Sequence, residues 1–213
     1  MIICLLVLAN IGALMIVRHS FGGEIETQVF VGLLVIITTL GVFMAYYNIK
    51  RLQIDQHRAW MLRTWFYAGS IITLRLIMII SAKIISSIGG YYRAMPCDQI
   101  ASMFNDQEKF KASYPQCSSA TGNTEGWIAV PANFNGKSHV AAALDLTFGT
   151  AGWLALVLHA VGVEIYLQLT PREGERLREV SYQRQLEAGF SHPGSSGITA
   201  DRWGDADEWK ASQ

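Results

Sequence analysis

The sequence predicts an all-α integral membrane protein: a bundle of about four transmembrane helices, a loop on the lumenal or extracellular side and a cytosolic C-terminal tail. Two observations support this fold class. Of the 213 residues, 51% are hydrophobic and only 16% are charged, whereas soluble domains carry about 25% charged residues. The apolar residues are also grouped into runs of about 20, which is the length a helix needs to cross a bilayer. The predicted transmembrane domain covers residues 1–170, with spans at 1–17, 28–48, 62–87 and 140–169.

The first span, residues 1–17, contains no charged residue and begins at the initiator methionine. A cleaved signal peptide carries basic residues ahead of its apolar run and a small-residue cleavage site after it. Neither feature is present, which favours an uncleaved membrane anchor. A start inside an apolar run also leads us to expect a shortened N-terminus.

The second span, residues 28–48, is uncharged, whereas the third and fourth spans contain ionisable residues. Such groups are costly inside a bilayer, so they are expected to face the interior of the bundle and to pair with one another. The third span contributes Arg63, Arg75 and Lys83, and the fourth contributes Asp145, His159 and Glu164.

Depth along the two antiparallel spans predicts which of these groups pair. Measured from the expected cytosolic ends at about 1.5 Å per residue, Arg63 lies at about 5 Å and Glu164 at about 8 Å. On the same scale Lys83 lies at about 35 Å and Asp145 at about 36 Å. We therefore expect two structural ion pairs, Arg63–Glu164 and Lys83–Asp145.

Three further residues are candidate ligand-binding groups. Arg75 lies at about 23 Å with no acidic residue at its level, and His159, at about 15 Å, is the nearest polar candidate. An arginine in this position favours an anionic or carbonyl-bearing ligand, although bonds to backbone carbonyls or to Thr150 are an alternative. His57, paired with His159, suggests the two axial ligands of a b-type haem, but their depths differ by about 15 Å. No other cofactor and no metal site is indicated.

Basic residues in the connections predict the orientation, because cytosolic loops carry an excess of Lys and Arg. Eight such residues flank the third span's start and the fourth span's end, against five on the other side. We therefore expect both termini in the cytosol and residues 88–139 in the lumen or outside the cell. This loop contains Cys97 and Cys117, and we expect a disulfide between them because disulfides persist in oxidising compartments.

The chain after the fourth span is predicted to have two parts. Residues 171–190 form a cytosolic amphipathic helix, which begins at Pro171 and ends at Gly189. Residues 191–213 are rich in Gly, Ser and Asp and are expected to be a disordered tail.

The stretch "LQIDQHRAWMLRTWFYAGSIITLRL", residues 52–76, resembles the signature of a family of predicted multi-pass membrane proteins, domain of unknown function 2306. That family has an H-R-x-W-M-x-R motif followed by a T-L-R-L-type span. The matching positions are His57, Arg58, Trp60, Met61, Arg63, Thr73 and Arg75. The segments "YNIKRLQIDQHRAW" and "AMPCDQI" are similar to its fungal members, and the resemblance extends over roughly residues 5–170. It implies the membrane fold and no particular activity.

These observations lead to one main functional hypothesis and two alternatives. The main hypothesis is a multi-pass protein of the endomembrane system or plasma membrane whose charged intramembrane core binds a ligand or supports a partner. Some fungal relatives resemble accessory members of biosynthetic gene clusters, which implies a role with a lipophilic metabolite. The alternatives are a membrane oxidoreductase or b-type haem carrier, and a small transporter subunit. The sequence leaves open whether the protein is an enzyme.

The expected partners are membrane lipids, a membrane enzyme or further copies of the chain, and no nucleic acid. The possibility of a homo-oligomer depends on a stretch of small residues in the fourth span, because small residues let transmembrane helices approach closely. These residues are Gly149, Gly152, Ala155 and Gly162.

Overall fold

The computed structural model describes residues 2–118 and 126–211, and most of this part of the chain is helical. Within it, three helices are long and apolar enough to cross a membrane: α2 (Ile25–Lys50), α3 (Ile54–Ile88) and α6 (Lys137–Leu169). Helix α1 (Ile2–Ile16) is also apolar but has only 15 residues, about 22 Å of helix against a hydrocarbon core of about 30 Å. The predicted all-α membrane class is confirmed, with three helices of spanning length and a shorter apolar helix at the position of the first predicted span.

The ends of the long helices lie at residues with unusual backbone conformations. Helix α2 is separated from α3 by a tight turn in which Leu52 has a φ of 56°. Helix α3 ends at Gly89 and Gly90, whose φ values are 75° and 78°, a conformation that glycine adopts at little cost and that stops a helix. Helix α3 also begins eight residues before the predicted span, because its polar first two turns are helical as well.

The segment between α3 and α6, residues 89–136, contains a small fold of its own. Strands β1 (Tyr92–Pro96) and β2 (Trp127–Pro131) form an antiparallel pair in which Arg93 faces Val130. Two short helices follow β1, α4 (Cys97–Ser102) and α5 (Gln107–Ser113). Buried apolar side chains of these strands and helices form a core that includes Met95, Ile100, Phe110 and Val130.

A disulfide joins Cys97 at the start of α4 to Cys117 after α5, which confirms the predicted bridge. By closing a loop of 20 residues, it restricts the unfolded chain and stabilises the folded segment by about 3 kcal/mol on the chain-entropy model. Residues 119–125 of the predicted loop lie outside the described residues.

The chain divides into two compact units. One unit comprises Met1–Met15, Val31–Ile71 and Leu156–Gln213, and it contains the C-terminal segment. The other comprises Ile16–Phe30 and Ile72–Ala155, and it contains the β1–β2 pair and the disulfide.

The C-terminal segment was predicted to be an amphipathic helix followed by a disordered tail. The helix is present as α7 (Pro171–Glu187), but the expectation of disorder is wrong for residues 191–211, which are ordered and include the short helix α8 (Ala200–Trp203). The segment is ordered mainly by hydrogen bonds, which a composition low in apolar residues does not reveal.

Buried amide side chains hold this segment against the turn between α2 and α3. Gln53 donates through Nε2 to the carbonyl of Gly194 (2.9 Å) and accepts from Gln185 Nε2 (3.0 Å). The backbone N–H of Ile198 donates to Asn48 Oδ1 (2.9 Å). The three amide side chains are fully buried, so their hydrogen bonds replace those they would otherwise make with water.

A second contact within the segment involves Asp201. Its carboxylate accepts from Arg178 Nη2 (2.8 Å) and from Ser195 Oγ (2.5 Å). Burial alone would raise the pKa of Asp201, but these hydrogen bonds and the Arg178 charge lower the pKa well below its usual range. The carboxylate is therefore ionised whenever the segment is docked at ordinary pH.

Candidate functional site

The inner face of α3 is buried, and its opposite face is exposed. Leu74, Met78 and Ala82 repeat every four residues and are 2%, 6% and 0% exposed. We call the opposite side the outer face of α3; it consists of the exposed residues Ile72, Arg75, Leu76, Ile79, Ile80, Lys83 and Ile84. Of the three long helices, α3 has the smallest buried share of its most apolar window, 17% against 33% for α2 and 39% for α6.

Arg75 therefore lies on the outer face of α3. The expectation that it faces the interior of the bundle is wrong. Within the described part of the chain, no side-chain hydrogen bond or ion pair involves Arg75. The reason lies in helix geometry: Arg75 follows the buried Leu74 directly, so it is rotated by about 100° away from the packed face. Arg75 and His159 belong to different compact units.

Arg63 and Glu164 are brought together, as their depths suggested. Both carboxylate oxygens of Glu164 accept from the Arg63 guanidinium, at 2.6 Å from Nε and 2.9 Å from Nη2. The guanidinium also lies over the Trp60 ring, 5.3 Å from its centroid. Bidentate geometry of this kind is the strongest form of a carboxylate–arginine contact.

The expected Lys83–Asp145 pair is not formed. Asp145 instead faces Arg93 of strand β1, with 3.6 Å between Arg93 Nε and Asp145 Oδ2, and Arg93 also pairs with Glu24. Lys83 is exposed on the outer face of α3. The depth comparison considered only residues inside the spans and therefore missed an arginine that β1 brings to the same level.

His57 of α3 contacts α2, whereas His159 of α6 contacts α3. His57 Nδ1 donates to the carbonyl of Ala45 in α2 (2.9 Å). The His159 ring lies edge-on to Phe66, with 6.1 Å between centroids, and beside Gly69, where a Cβ would come within 3.5 Å of it. Gly69 is about three turns, or about 18 Å, beyond His57 along the helix axis.

This separation does not fit a b-type haem held by both histidines, because the two axial ligands bind one iron from opposite faces of the same ring. Nor do the described residues contain a group of three or more His, Cys, Asp or Glu side chains that could hold a metal ion.

Three of the four small residues of α6, Gly149, Gly152 and Ala155, pack within the chain itself. A Cβ at Gly149 would come within 2.9 Å of Glu26, and one at Gly152 within 2.7 Å of Phe30. Ala155 is fully buried. Close approach at Gly149 and Gly152 is therefore used between α6 and α2, whereas a Cβ at Gly162 would meet no described atom within 4 Å. A homo-oligomer through this stretch stays a prediction.

Comparison with known protein families concerns the N-terminal part of the chain. Residues 1–96 match the family model described as Predicted membrane protein (DUF2306). The expected resemblance is confirmed for these residues, which end with strand β1. No curated protein and no solved structure matches the chain.

Within the DUF2306 match, the motif residues of α3 serve mainly to pack it against α2 and α6. His57 bonds to α2, and Arg63 pairs with Glu164 of α6. Arg58 lies over the Tyr166 ring, 5.7 Å from its centroid, and donates to Thr170 Oγ1 (3.4 Å). Arg75 also belongs to the motif but differs from these residues, because it lies on the outer face of α3.

Arg93 and Glu24, both in the second unit, were not identified as candidates from the sequence. Arg93 is 6% exposed and lies between Asp145 and Glu24. Nothing in the local pattern of a loop arginine indicates burial. The available clue was its position four residues before Cys97, since a disulfide-anchored strand has a fixed place in the fold.

Proposed function

We propose that this protein is an accessory membrane subunit that binds a transmembrane helix of a partner protein through the outer face of α3. The observation that supports the proposal most directly is the exposure of Arg75 in the middle of an apolar spanning helix. A cation at mid-span costs about 2.5–3.5 kcal/mol on insertion scales. A partner that supplies a carboxylate at the same depth offsets this cost.

Two features of the outer face specify the partner's chemistry. Arg75 and Lys83 are both exposed and lie about two turns, or about 12 Å, apart along the helix. Between and around them are isoleucines and a leucine; Ile72 is 72% and Leu76 61% exposed. A helix that buries this surface is apolar and has an Asp or Glu facing Arg75.

The acidic residues of the described spanning helices α2 and α6 already contact other residues of the chain, which favours a different protein over a second copy. Among the described residues of α6, Glu164 pairs with Arg63 and Asp145 with Arg93. The acidic residue at the start of α2, Glu26, accepts from Thr150 Oγ1 (3.3 Å). Binding a second copy through Arg75 would require breaking one of these contacts.

The proposal includes an orientation, with both termini in the cytosol and the disulfide-bearing segment on the opposite side. The Cys97–Cys117 bridge supports it, because disulfides persist in the lumen or outside the cell. The excess of basic residues beside the start of α3 and the end of α6 supports it independently.

A photo-crosslinking residue at Ile79 tests the proposal. Ile79 is 44% exposed and lies on the outer face of α3, one turn from both Arg75 and Lys83. In the native host, we expect an adduct with a membrane protein whose crosslinked helix contains an Asp or Glu. The substitution Arg75→Gln should remove the adduct without lowering the detergent melting temperature, because Arg75 makes no side-chain contact in the described chain.

Charge reversal supplies the decisive arm of the experiment. Arg75→Glu should abolish the adduct, and replacing the partner's acidic residue by Arg should restore it. The matched control places the crosslinker at Leu158 of α6, which is 53% exposed on a helix without an exposed cation nearby. Adducts with lipid alone, adducts with a second copy of the chain, or an adduct unaffected by Arg75→Gln would each contradict the proposal.

A further inference from the structure

The disulfide-bearing segment and the start of α6 line an open cleft of about 770 Å³, within the usual range of small-molecule sites. One wall is formed by residues 103–114, which include α5, and the other by residues 131–139 at the end of β2 and the start of α6. The Cys97–Cys117 bridge spans the first wall, and the β1–β2 ladder anchors the second at Pro131. The first wall is therefore held in place by the disulfide bond and the second by the hydrogen bonds between the strands.

The two walls are joined where Tyr114 meets Ser138. The Tyr114 hydroxyl and Ser138 Oγ are 2.8 Å apart, and Ser138 is only 3% exposed. The Tyr114 ring packs edge-on against Phe104, with 6.0 Å between centroids, and both rings line the cleft. One side of the cleft thus offers aromatic surface that is partly buried in the apolar core.

The second wall of the cleft carries Lys137, whereas Lys109 belongs to the first wall. Lys109 lies near Asp106 (3.9 Å), but Lys137 forms no ion pair within the described residues. Lys137 is the first residue of α6, whose first turn contains no acidic residue. A cation at the positive end of a 33-residue helix is electrostatically unfavourable, and an anion bound there removes the repulsion.

We propose that this cleft binds a small aromatic carboxylate, with its ring against Phe104 and Tyr114 and its carboxylate at Lys137. Aromatic surface and an unpaired cation at a helix N-terminus meet in one cleft, and this class of ligand satisfies both. The cleft does not include the outer face of α3, so partner binding and ligand binding can fail independently.

Calorimetric titration of the full chain in lipid nanodiscs tests the proposal with benzoate as the probe, using empty nanodiscs as the blank. We expect saturable binding of benzoate and at least fivefold weaker binding of benzyl alcohol, which has the ring but no charge, and of acetate, which has the charge but no ring. Lys137→Gln should weaken benzoate binding about fivefold, since it removes one charge–charge contact.

Lys111→Gln is the matched control, because Lys111 is an exposed lysine of α5 that pairs with Glu108 and does not line the cleft. It should leave benzoate binding unchanged, and both variants should melt as the unmodified protein does. Absence of saturable binding, equal binding of benzyl alcohol, or equal effects of the two lysine substitutions would each overturn the proposal.

Discussion

Two arginine–carboxylate pairs in this protein differ in their hydrogen bonding. Glu164 holds Arg63 through both oxygens. Asp145 faces Arg93 at 3.6 Å, and neither Arg93 Nε nor Asp145 Oδ2 has a hydrogen-bond partner among the described residues. Arg63 and Glu164 are partly exposed, with 24% and 46% of their side-chain surface accessible. The first pair is therefore well bonded but shielded only in part, and the second is well shielded but weakly bonded.

Glu164→Gln should destabilise the protein, because it removes the charge that balances Arg63 inside a spanning helix. Partial exposure lowers the cost below that of a fully buried pair, to about 1–2 kcal/mol. The expected result is a lower melting temperature in detergent, measured against the unmodified protein.

Glu173→Gln is the matched control for this substitution, because it removes another bidentate arginine–glutamate contact, the one between Arg176 and Glu173 on α7. That contact is exposed at the surface, so no measurable change in melting is expected. Equal effects of the two substitutions would show that the intramembrane pair contributes nothing beyond a solvated one.

The residue scale also shows where sequence reasoning succeeds. The depths of residues along two antiparallel helices are enough to predict the Arg63–Glu164 pair. Each depth follows from the number of residues to the helix end, because the rise per residue of an α-helix is constant. It cannot find Arg93–Asp145, since the position of a strand in a loop depends on tertiary packing. Nor does it indicate which side of α3 is covered, so the exposure of Arg75 had to be observed.

At the scale of elements, the C-terminal segment depends on close backbone approach at Gly197. A Cβ at this position would come within 2.5 Å of Gln53 Cβ and would also meet Asn48 Oδ1. Gly197→Ala should therefore displace residues 190–211 from the turn between α2 and α3. Limited proteolysis in detergent should then cut this segment faster, while the spanning helices remain protected.

Gly174→Ala provides the comparison, because a Cβ at Gly174 in α7 would have no atom within 4 Å. Alanine is also the better helix former by about 1 kcal/mol, so proteolysis of this variant should be unchanged or slower. Fast cleavage in the unmodified protein would contradict the docked arrangement itself.

Composition describes this element poorly for a physical reason. Glycine and serine contribute little apolar area, so a segment rich in them is normally expected to remain disordered. Here its order depends on three fully buried amides: Asn48 and Gln53, which are distant in sequence, and Gln185 of α7. The helix α7, by contrast, was predictable from local pattern because Pro171 begins it.

At the scale of the whole molecule, the proposed orientation predicts where N-glycosylation occurs. Gln107→Thr creates a sequon at Asn105, on an exposed part of the disulfide-bearing segment. In a eukaryotic host we expect one added glycan, detected as a mass shift that a glycosidase removes. A sequon-bearing tag fused to the C-terminus should stay unmodified, and the reverse pattern would invert the topology.

The membrane class was predictable over the whole molecule because runs of apolar residues depend on local composition alone. The number of full-length spans was harder to predict. Residues 1–17 form an apolar run, but the helix α1 within it has only 15 residues. The family-like stretch predicted a motif on α3 but not its direction, which depends on the helices it packs against.

The length of α3 has a consequence for the choice of lipid. Its 35 residues extend about 52 Å, and the part after Trp65, which is apolar apart from a few residues such as Arg75 and Lys83, is still longer than a hydrocarbon core of about 30 Å. Such hydrophobic mismatch is relieved by tilting, by local thickening of the bilayer or by association with another protein. Acyl-chain length therefore acts as a thermodynamic variable for this protein, and thin bilayers shift the equilibrium towards covering the surplus apolar surface of α3.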